Sequence, residues 1–123
     1  FQQIAIANPE TAPYGTAAVE TMQSLGVYEA LQPKIVQGQS IAQAFQFVES
    51  GNAELGFVAL GQVLRKPVGS YWIVPQELYR PIRQDAVLLK AGEANAAAAA
   101  FLEFLRGGEA AAIIEQYGFA LDR

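Results

Sequence analysis

The segment Ile4-Ala-Ile-Ala-Asn-Pro-Glu-Thr-Ala-Pro-Tyr-Gly15 decides how this chain can fold. Its first four residues form an apolar run that is typical of a buried β-strand, Asn8-Pro9 ends the run, and Pro13-Tyr14-Gly15 is typical of a helix start. The first N–H groups of a helix have no partner within the helix and carry the positive end of its dipole. A strand, a loop and a helix start in this order therefore predict a place where backbone amides can bind an anion.

A second helix start follows at Gly38-Gln-Ser-Ile-Ala-Gln43. Ser40 precedes an apolar stripe at helical spacing and Gln43 stands three residues after it, which predicts a capping box. Residues 11–15 and 38–44 contain no charged side chain. We expect the two helix starts to form one wall of an oxyanion site, with the Tyr14 hydroxyl as a further donor.

Each of these features also has a plain structural interpretation. Ser40 is the kind of residue that caps helices whether or not a ligand is present. Tyr14 has the composition of a half-buried core residue, because its ring is apolar and its hydroxyl is polar. On the residue pattern alone, the structural interpretation is favoured for both residues.

Composition limits the classes of function. The chain has 123 residues, of which 52% are hydrophobic and 16% charged, so it is long enough for one folded domain and too apolar to be disordered. The formal net charge is −4 and the eight Lys and Arg are scattered, which argues against nucleic acid as a partner. No apolar run approaches the roughly 20 residues that a membrane-spanning helix needs.

The residue types argue against catalysis. The chain contains no Cys and no His, so thiol and imidazole chemistry and the common zinc ligand sets are excluded. No serine stands in a nucleophile motif, and no phosphate loop or dinucleotide fingerprint is present. The carboxylates are isolated in sequence and suggest no paired acid and base. We therefore predict that the protein is not an enzyme.

The first half of the chain alternates strand and helix patterns, which predicts an α/β fold with at least some parallel pairing. Strands are predicted at residues 4–7, 34–37 and 55–60, the last as a strand covered on both faces. Helices are predicted after Pro13 and after Ser40.

The second half is less regular. Residues 65–81 predict a turn-rich connector, interrupted by Lys66-Pro67 among other breaks, with one strand candidate at 71–74. Residues 86–89 are a further buried-strand candidate. From Ala94 to Gly118 the pattern predicts two helices separated by Gly107-Gly108.

Several segments, taken in order, carry a resemblance to a known family. They are Ile4 to Gly15, Ser24-Leu-Gly, Ala42-Gln-Ala-Phe-Gln-Phe-Val-Glu-Ser-Gly-Asn-Ala, Gly56-Phe-Val-Ala-Leu, Pro81-Ile-Arg-Gln-Asp-Ala-Val-Leu-Leu and Tyr117-Gly-Phe. Together they resemble the periplasmic molybdate-binding proteins, the substrate-binding components of molybdate ABC transporters. The resemblance runs from end to end of the chain, and its specificity depends on the order of the segments.

The resemblance implies a fold and a division of the chain. Family members have two α/β lobes of a type II-like periplasmic-binding-protein fold, each a mixed sheet flanked by helices, which close on molybdate or tungstate. Residues 1–81 then correspond to the second lobe with a hinge strand, and residues 82–123 to the hinge return and C-terminal helices of an incomplete first lobe. The implied location is periplasmic or extracytoplasmic, and no cofactor is implied.

The resemblance also implies site residues and a mechanism. Tyr14 and Ile41 fall where family members contact the oxyanion, Ile41 through its backbone N–H. Ser40 is a further candidate, as is Ala59, which stands where some members have a tyrosine. The implied function is capture of the anion between the lobes and delivery to the permease of an ABC transporter, with half of the site in this chain.

Two other possibilities remain at this point. A ligand-sensing module of a transcription regulator can have the same fold, although the chain has no basic helix-turn-helix segment. The apolar stripes of the final helices, residues 94–118, also predict that the chain self-associates through these helices.

Overall fold

The computed structural model describes residues 1–65 and 69–121, which divide into two compact units, Phe1–Ile82 and Arg83–Arg123. The first unit alternates strands and helices. In chain order its strands and α-helices are β1 (Ile4–Ala7), α1 (Pro13–Ser24), α2 (Tyr28–Leu31), β2 (Ile35–Gly38), α3 (Ile41–Glu49), β3 (Leu55–Gly56) and α4 (Leu60–Arg65). Short 3₁₀ turns follow α2 at Gln32–Lys34 and lie further on at Gln76–Leu78.

The sheet of the first unit has the strand order β2-β1-β3, and both pairings are parallel. All four residues of the central strand β1 are buried. A strand that is apolar at every position must be covered on both faces, and this is what the helices achieve. The predicted α/β class and the predicted strands at residues 4–7 and 34–37 are thus confirmed, within a residue or so at the ends.

The two faces of β1 pack against different helices. On one face Ala5 packs with Ala44 of α3 and with Ala53. On the other face Ile6 packs with Ala18 and Met22 of α1. This alternation follows from the period of two in a strand, and it places α1 and α3 on opposite sides of the sheet.

The predicted strand at residues 55–60 is largely wrong. Only Leu55–Gly56 pair with β1, and the chain enters α4 at Leu60. β3 is an edge strand with an exposed Leu55, so it is not covered on both faces. The error has a physical cause, because a short run of apolar residues has no periodicity that distinguishes a strand from a helix start.

The strand candidates at residues 71–74 and 86–89 are also wrong, and the sheet is parallel where a mixed sheet was expected. Both segments are irregular, and Val87 is 77% exposed. A strand exists only where a neighbour accepts its backbone hydrogen bonds. Within the described residues neither segment joins the three-stranded sheet. Residues 66–68 of the predicted connector, including Lys66-Pro67, lie outside the described residues.

The second unit is helical, as predicted. A 3₁₀ turn at Lys90–Gly92 precedes α5 (Ala96–Leu105) and α6 (Gly108–Gln116). Asn95 caps α5, because its side-chain oxygen accepts hydrogen bonds from the amides of Ala97 and Ala98. Across the described ranges of the chain, no helix has the length and apolar character needed to cross a membrane.

Candidate functional site

The starts of α1 and α3 lie at the same edge of the sheet. β1 and β2 are parallel neighbours with Ala7 opposite Gly38, and α1 and α3 are the helices that follow these two strands. The Asn8 amide donates a 2.8 Å hydrogen bond to the carbonyl of Gly38, which joins the two strand ends. In open α/β sheets, ligands bind at this carboxyl edge, where the loops after neighbouring strands meet.

Two glycines let the helices approach the strand ends closely. A Cβ at Gly15 would lie 2.2 Å from the Ala7 carbonyl oxygen, and a Cβ at Gly38 would lie 2.8 Å from the Ala44 amide nitrogen. Any other residue at these positions would force the helix away from the strand. The first turns of α1 and α3 are therefore held against the carboxyl ends of β1 and β2.

The amides of Tyr14 and Ile41 are available for a ligand. Gly15 and Thr16 donate to the Ala12 carbonyl, and Ala44 donates to the Ser40 carbonyl, so these later amides are satisfied. Among the residues that the structure describes, no acceptor receives the amide hydrogen of Tyr14 or of Ile41. Neither amide lies within a regular hydrogen-bond ladder, which agrees with their position at helix starts.

The electrostatics of this edge favour an anion. Neither α1 nor α3 has an acidic residue in its first turn, so no carboxylate of the helix itself competes for the positive end of the dipole. The part of the chain that the structure describes also contains no cluster of three or more acidic side chains that could hold a metal cation. The positive ends of the two helix dipoles therefore favour an anion at this edge.

Tyr14 lies in the first turn of α1, and its side chain carries a hydroxyl group. Burial raises the pKa of the Tyr14 phenol above its ordinary value, and electrostatic repulsion between Tyr14 and Tyr79 raises that pKa further. The phenol therefore stays protonated throughout the neutral range. A protonated phenol donates a hydrogen bond without placing a charge in the site.

Ser40 acts as a helix cap, and its hydroxyl lies at the same edge. The Ser40 hydroxyl oxygen accepts a 3.2 Å hydrogen bond from the Gln43 amide, while the Gln43 side chain accepts a 2.6 Å bond from the Gln39 amide. This arrangement is a variant of the predicted capping box, displaced by one residue at the second bond. The cap uses Ser40 as an acceptor only, so its hydroxyl hydrogen can still be donated to a ligand.

Ala59 also reaches this edge, but its backbone amide is already used. The Ala59 amide donates a 2.8 Å hydrogen bond to the side-chain oxygen of Gln62. The side-chain nitrogen of Gln62 in turn donates a 3.2 Å bond to the carbonyl of Ile41. The structure thus places Ala59 beside the α3 start, where its methyl group can form part of the wall but cannot donate a hydrogen bond.

Gln62 and Tyr79 are the residues near the site that sequence reasoning missed. Gln62 is the third residue of α4, the position from which a glutamine side chain commonly accepts a hydrogen bond from the amide that precedes the helix. The sequence analysis missed this role because it did not recognise the helix start at Leu60. Tyr79 lies in an irregular segment with no sequence signal. That segment is held on α1 by a 2.8 Å bond from the Ser24 hydroxyl to the Leu78 carbonyl and by a 3.2 Å ion pair between Arg80 and Glu20.

Residues 1–120 match the model of a family described as bacterial extracellular solute-binding protein. The chain belongs to this family. Membership confirms the predicted extracytoplasmic location, and the family is a class of solute-binding proteins and not a class of enzymes.

Individual relatives share extensive sequence with the chain. The molybdate-binding protein ModA of Rhodobacter capsulatus is 57% identical over 122 residues, which are 99% of this chain and 48% of that protein. The protein of the same name from Azotobacter vinelandii is 54% identical over 124 residues, covering 98% of this chain and 49% of that protein. The chain thus spans about half the length of the curated relatives that it matches.

Solved structures agree with the fold. A periplasmic molybdate-binding protein of Azotobacter vinelandii superposes with a TM-score of 0.88 at 40% identity, over 100% of this chain and 55% of that one. The substrate-binding domain of a putative molybdenum ABC transporter from Clostridium difficile gives a TM-score of 0.78 at 26% identity, over 99% of this chain and 54% of that one. The resemblance that the sequence predicted is therefore confirmed, and none of these relatives supports the alternative of a transcription regulator.

Proposed function

We propose that this chain binds molybdate at the carboxyl edge of its sheet, as one half of a transporter's substrate-binding protein with half of the binding site. The observation that carries the proposal is the pair of adjacent helix starts whose Tyr14 and Ile41 amides donate to no described acceptor. The names of the relatives support molybdate as the ligand, since two molybdate-binding proteins share more than half of the residues of this chain.

The proposed contacts suit a small tetrahedral dianion. The amides of Tyr14 and Ile41 and the hydroxyls of Tyr14 and Ser40 are donors, and each oxygen of molybdate is an acceptor. All of these donors are neutral, so the empty site does not bury an unpaired charge. Binding needs no proton transfer and no bond cleavage, and we therefore propose capture and release without catalysis.

Neutral donors do not distinguish tetrahedral dianions by charge, so selectivity must come from size. Tungstate presents the same charge and shape as molybdate, and we propose that it binds as well. Sulfate presents similar acceptors on a smaller ion and would leave part of the donor set out of hydrogen-bonding range. Rejection of sulfate then depends on how firmly the helix starts are held apart.

We further propose that residues 1–81 act as the second lobe of a two-lobe protein, with the hinge segment at their end. Residues 82–123 would form the hinge return and the C-terminal helices of the first lobe. The fact that the chain spans about half the length of its relatives supports this assignment. Delivery of the anion to an ABC transporter permease is proposed for the whole protein.

Self-association through α5 and α6 stays a prediction. Phe101, Phe104 and Ile113 on these helices are exposed apolar side chains that a second copy could cover. Sedimentation velocity over a range of protein concentrations tests this: a dimer that dissociates on dilution supports it, and a monomer at every concentration contradicts it.

The binding proposal is tested by titrating the ¹⁵N-labelled chain with sodium molybdate, sodium tungstate and sodium sulfate while recording amide NMR spectra. Molybdate and tungstate should shift the Tyr14 and Ile41 amide signals, with the weak affinity expected of half a site. The Tyr14→Phe variant should bind molybdate about three- to tenfold more weakly, because it loses one hydrogen bond.

Tyr28 provides a matched control for this substitution. It is a half-buried tyrosine on α2 that packs against the Ile6 cluster, away from the carboxyl edge. Tyr28→Phe should leave molybdate binding unchanged. The proposal is contradicted if molybdate shifts neither amide, or if sulfate shifts both as strongly as molybdate does.

A further inference from the structure

Gln62 links two loops at the candidate site through both ends of its side-chain amide. Its oxygen accepts a 2.8 Å hydrogen bond from the Ala59 amide, and its nitrogen donates a 3.2 Å hydrogen bond to the Ile41 carbonyl. Ala59 and Ile41 are 18 positions apart in the chain, on the segments that follow β3 and β2. The side chain is partly buried, so water competes less for these bonds than at the surface.

The first of these bonds has a local explanation. Gln62 is the third residue of α4, and a glutamine at this position commonly accepts from the amide just before the helix. The second bond has no such explanation. The Ile41 carbonyl belongs to a different helix, and its position in the first turn of α3 means that a regular backbone bond within that helix can satisfy it without Gln62.

We propose that Gln62 is a positioning residue that holds the first turn of α3 at a fixed distance from the loop before α4, and so sets the size of anion that the site accepts. This inference depends on the proposed function. Gln62 itself does not have to touch the ligand. It acts through Ile41, whose amide is the donor and whose carbonyl is the anchored group.

The hydrogen bond from Gln62 to the Ile41 carbonyl restrains the position of the α3 start. The Ile41 amide and carbonyl flank the same Cα, so a movement of the α3 start moves the ligand donor as well. On this proposal, the intact link holds the Ile41 amide at a distance from the Tyr14 amide that suits molybdate and is too wide for sulfate. Without the link, the α3 start can relax towards a smaller ion, and the preference for molybdate over sulfate falls.

Three variants separate the effect of losing the link on anion preference from the effects of losing the α4 cap and of adding a negative charge. Gln62→Met removes both hydrogen bonds with little change in volume. Gln62→Glu keeps the acceptor for the Ala59 amide and loses the donor to the Ile41 carbonyl, so it breaks the link but keeps the α4 cap. Gln39→Glu is the charge control, because it adds the same negative charge at an exposed position near the start of α3 without touching the link.

The measurement is the ratio of sulfate to molybdate dissociation constants for the full 123-residue chain, obtained from amide NMR titrations, together with the thermal midpoint of each variant. Gln62→Met and Gln62→Glu should both lower the ratio about three- to tenfold, the effect of one hydrogen bond. Gln39→Glu should weaken both dianions equally and leave the ratio unchanged. The thermal midpoint should fall for Gln62→Met and stay near wild type for Gln62→Glu.

The outcomes distinguish this inference from the proposed function. If the wild-type chain binds neither anion, the proposed function is overturned, and the positioning role falls with it. If the wild-type chain binds molybdate and both Gln62 variants keep the wild-type ratio, only the positioning role is overturned. A ratio that falls in Gln62→Glu and equally in Gln39→Glu would also overturn it, because charge alone would explain the change.

Discussion

The sheet region, residues 1–65, and the helical region, residues 83–121, use similar apolar residues in different ways. In the sheet region every residue of β1 is buried and Ile6 is 1% exposed. In the described part of the helical region Ala110 is the one buried apolar residue, and Phe101 is 60% exposed. Burial in this chain is therefore concentrated around one strand, while α5 and α6 form with little tertiary support.

The two regions obtain their structure from different sources. A helix satisfies its own backbone, and α5 combines an alanine-rich sequence with an Asn95 cap, so local forces support it. A strand satisfies its backbone only against a neighbour, so β1 exists because β2 and β3 lie beside it. Substitutions should therefore have unequal effects in the two regions.

The largest expected difference concerns apolar side chains. Ile6→Ala should lower the free energy of unfolding of the sheet region by about 3 kcal/mol, because it leaves a cavity against Ala18 and Met22. Phe101→Ala should change it by less than about 0.5 kcal/mol, since an exposed side chain leaves no cavity. Urea unfolding followed by circular dichroism measures both. Equal losses would contradict the contrast between the regions.

The next difference concerns glycines. Gly15→Ala should destabilise the chain by about 2 kcal/mol, because the new Cβ would overlap the Ala7 carbonyl oxygen. Gly108→Ala places the same methyl group in open space at the start of α6 and should be neutral or stabilising by about 0.5 kcal/mol. Thermal unfolding of the two variants compares them directly, and a stable Gly15→Ala variant would mean that α1 is not held against β1.

A smaller difference is expected for the helix caps. Ser40→Ala and Asn95→Ala each remove a side-chain acceptor, and each should cost about 1 kcal/mol of helix stability. In the sheet region α3 also packs against β1, so α3 should stay helical in the Ser40→Ala variant. In the helical region α5 should lose helicity at its first turn, which amide hydrogen exchange at Ala97 and Ala98 would detect.

The smallest effect is a pH dependence near the amino-terminal end of the sheet. The Gln2 amide donates to the Glu54 carboxylate and holds the pKa of that carboxyl below its ordinary value. A lowered pKa in the folded state stabilises the fold above the unfolded-state pKa, and this contribution disappears as the pH falls through the folded-state value. Wild type and Glu54→Gln should therefore differ slightly at neutral pH and become equal in acid. A difference that grows as the pH falls would contradict this assignment.

The sequence predicted the elements whose signals are local. The start of α1 at Pro13, the start of α3 after Ser40 and the break near Gly107 all follow from residues within one helical turn. The strand predictions were confirmed at residues 4–7 and 34–37, whereas the prediction at 55–60 was largely wrong. Residues 86–89 have the composition of a buried strand, yet they stay irregular because composition does not supply a neighbour.

The candidate site also contains residues that local sequence signals identify and residues that only long-range contacts reveal. Tyr14 and Ile41 were identified from helix starts and from a family resemblance, and the structure brings their helix starts to one edge of the sheet. Their role in binding stays a prediction that the titration tests. Gln62 could not be predicted, because its link to Ile41 joins segments that are distant in sequence and depends on a helix start that the apolar run concealed.

By itself, the sequence determined where α1 and α3 begin, that the chain contains no Cys and no His, and that residues 11–15 and 38–44 carry no charged side chain. Only the tertiary structure decided that those segments meet at one edge, that α1 and α3 cover opposite faces of β1, and that Gln62 connects the loop before α4 to the start of α3. The physical reason is that capping and helical periodicity act within a few residues, whereas parallel pairing and close packing join segments that the chain order keeps apart.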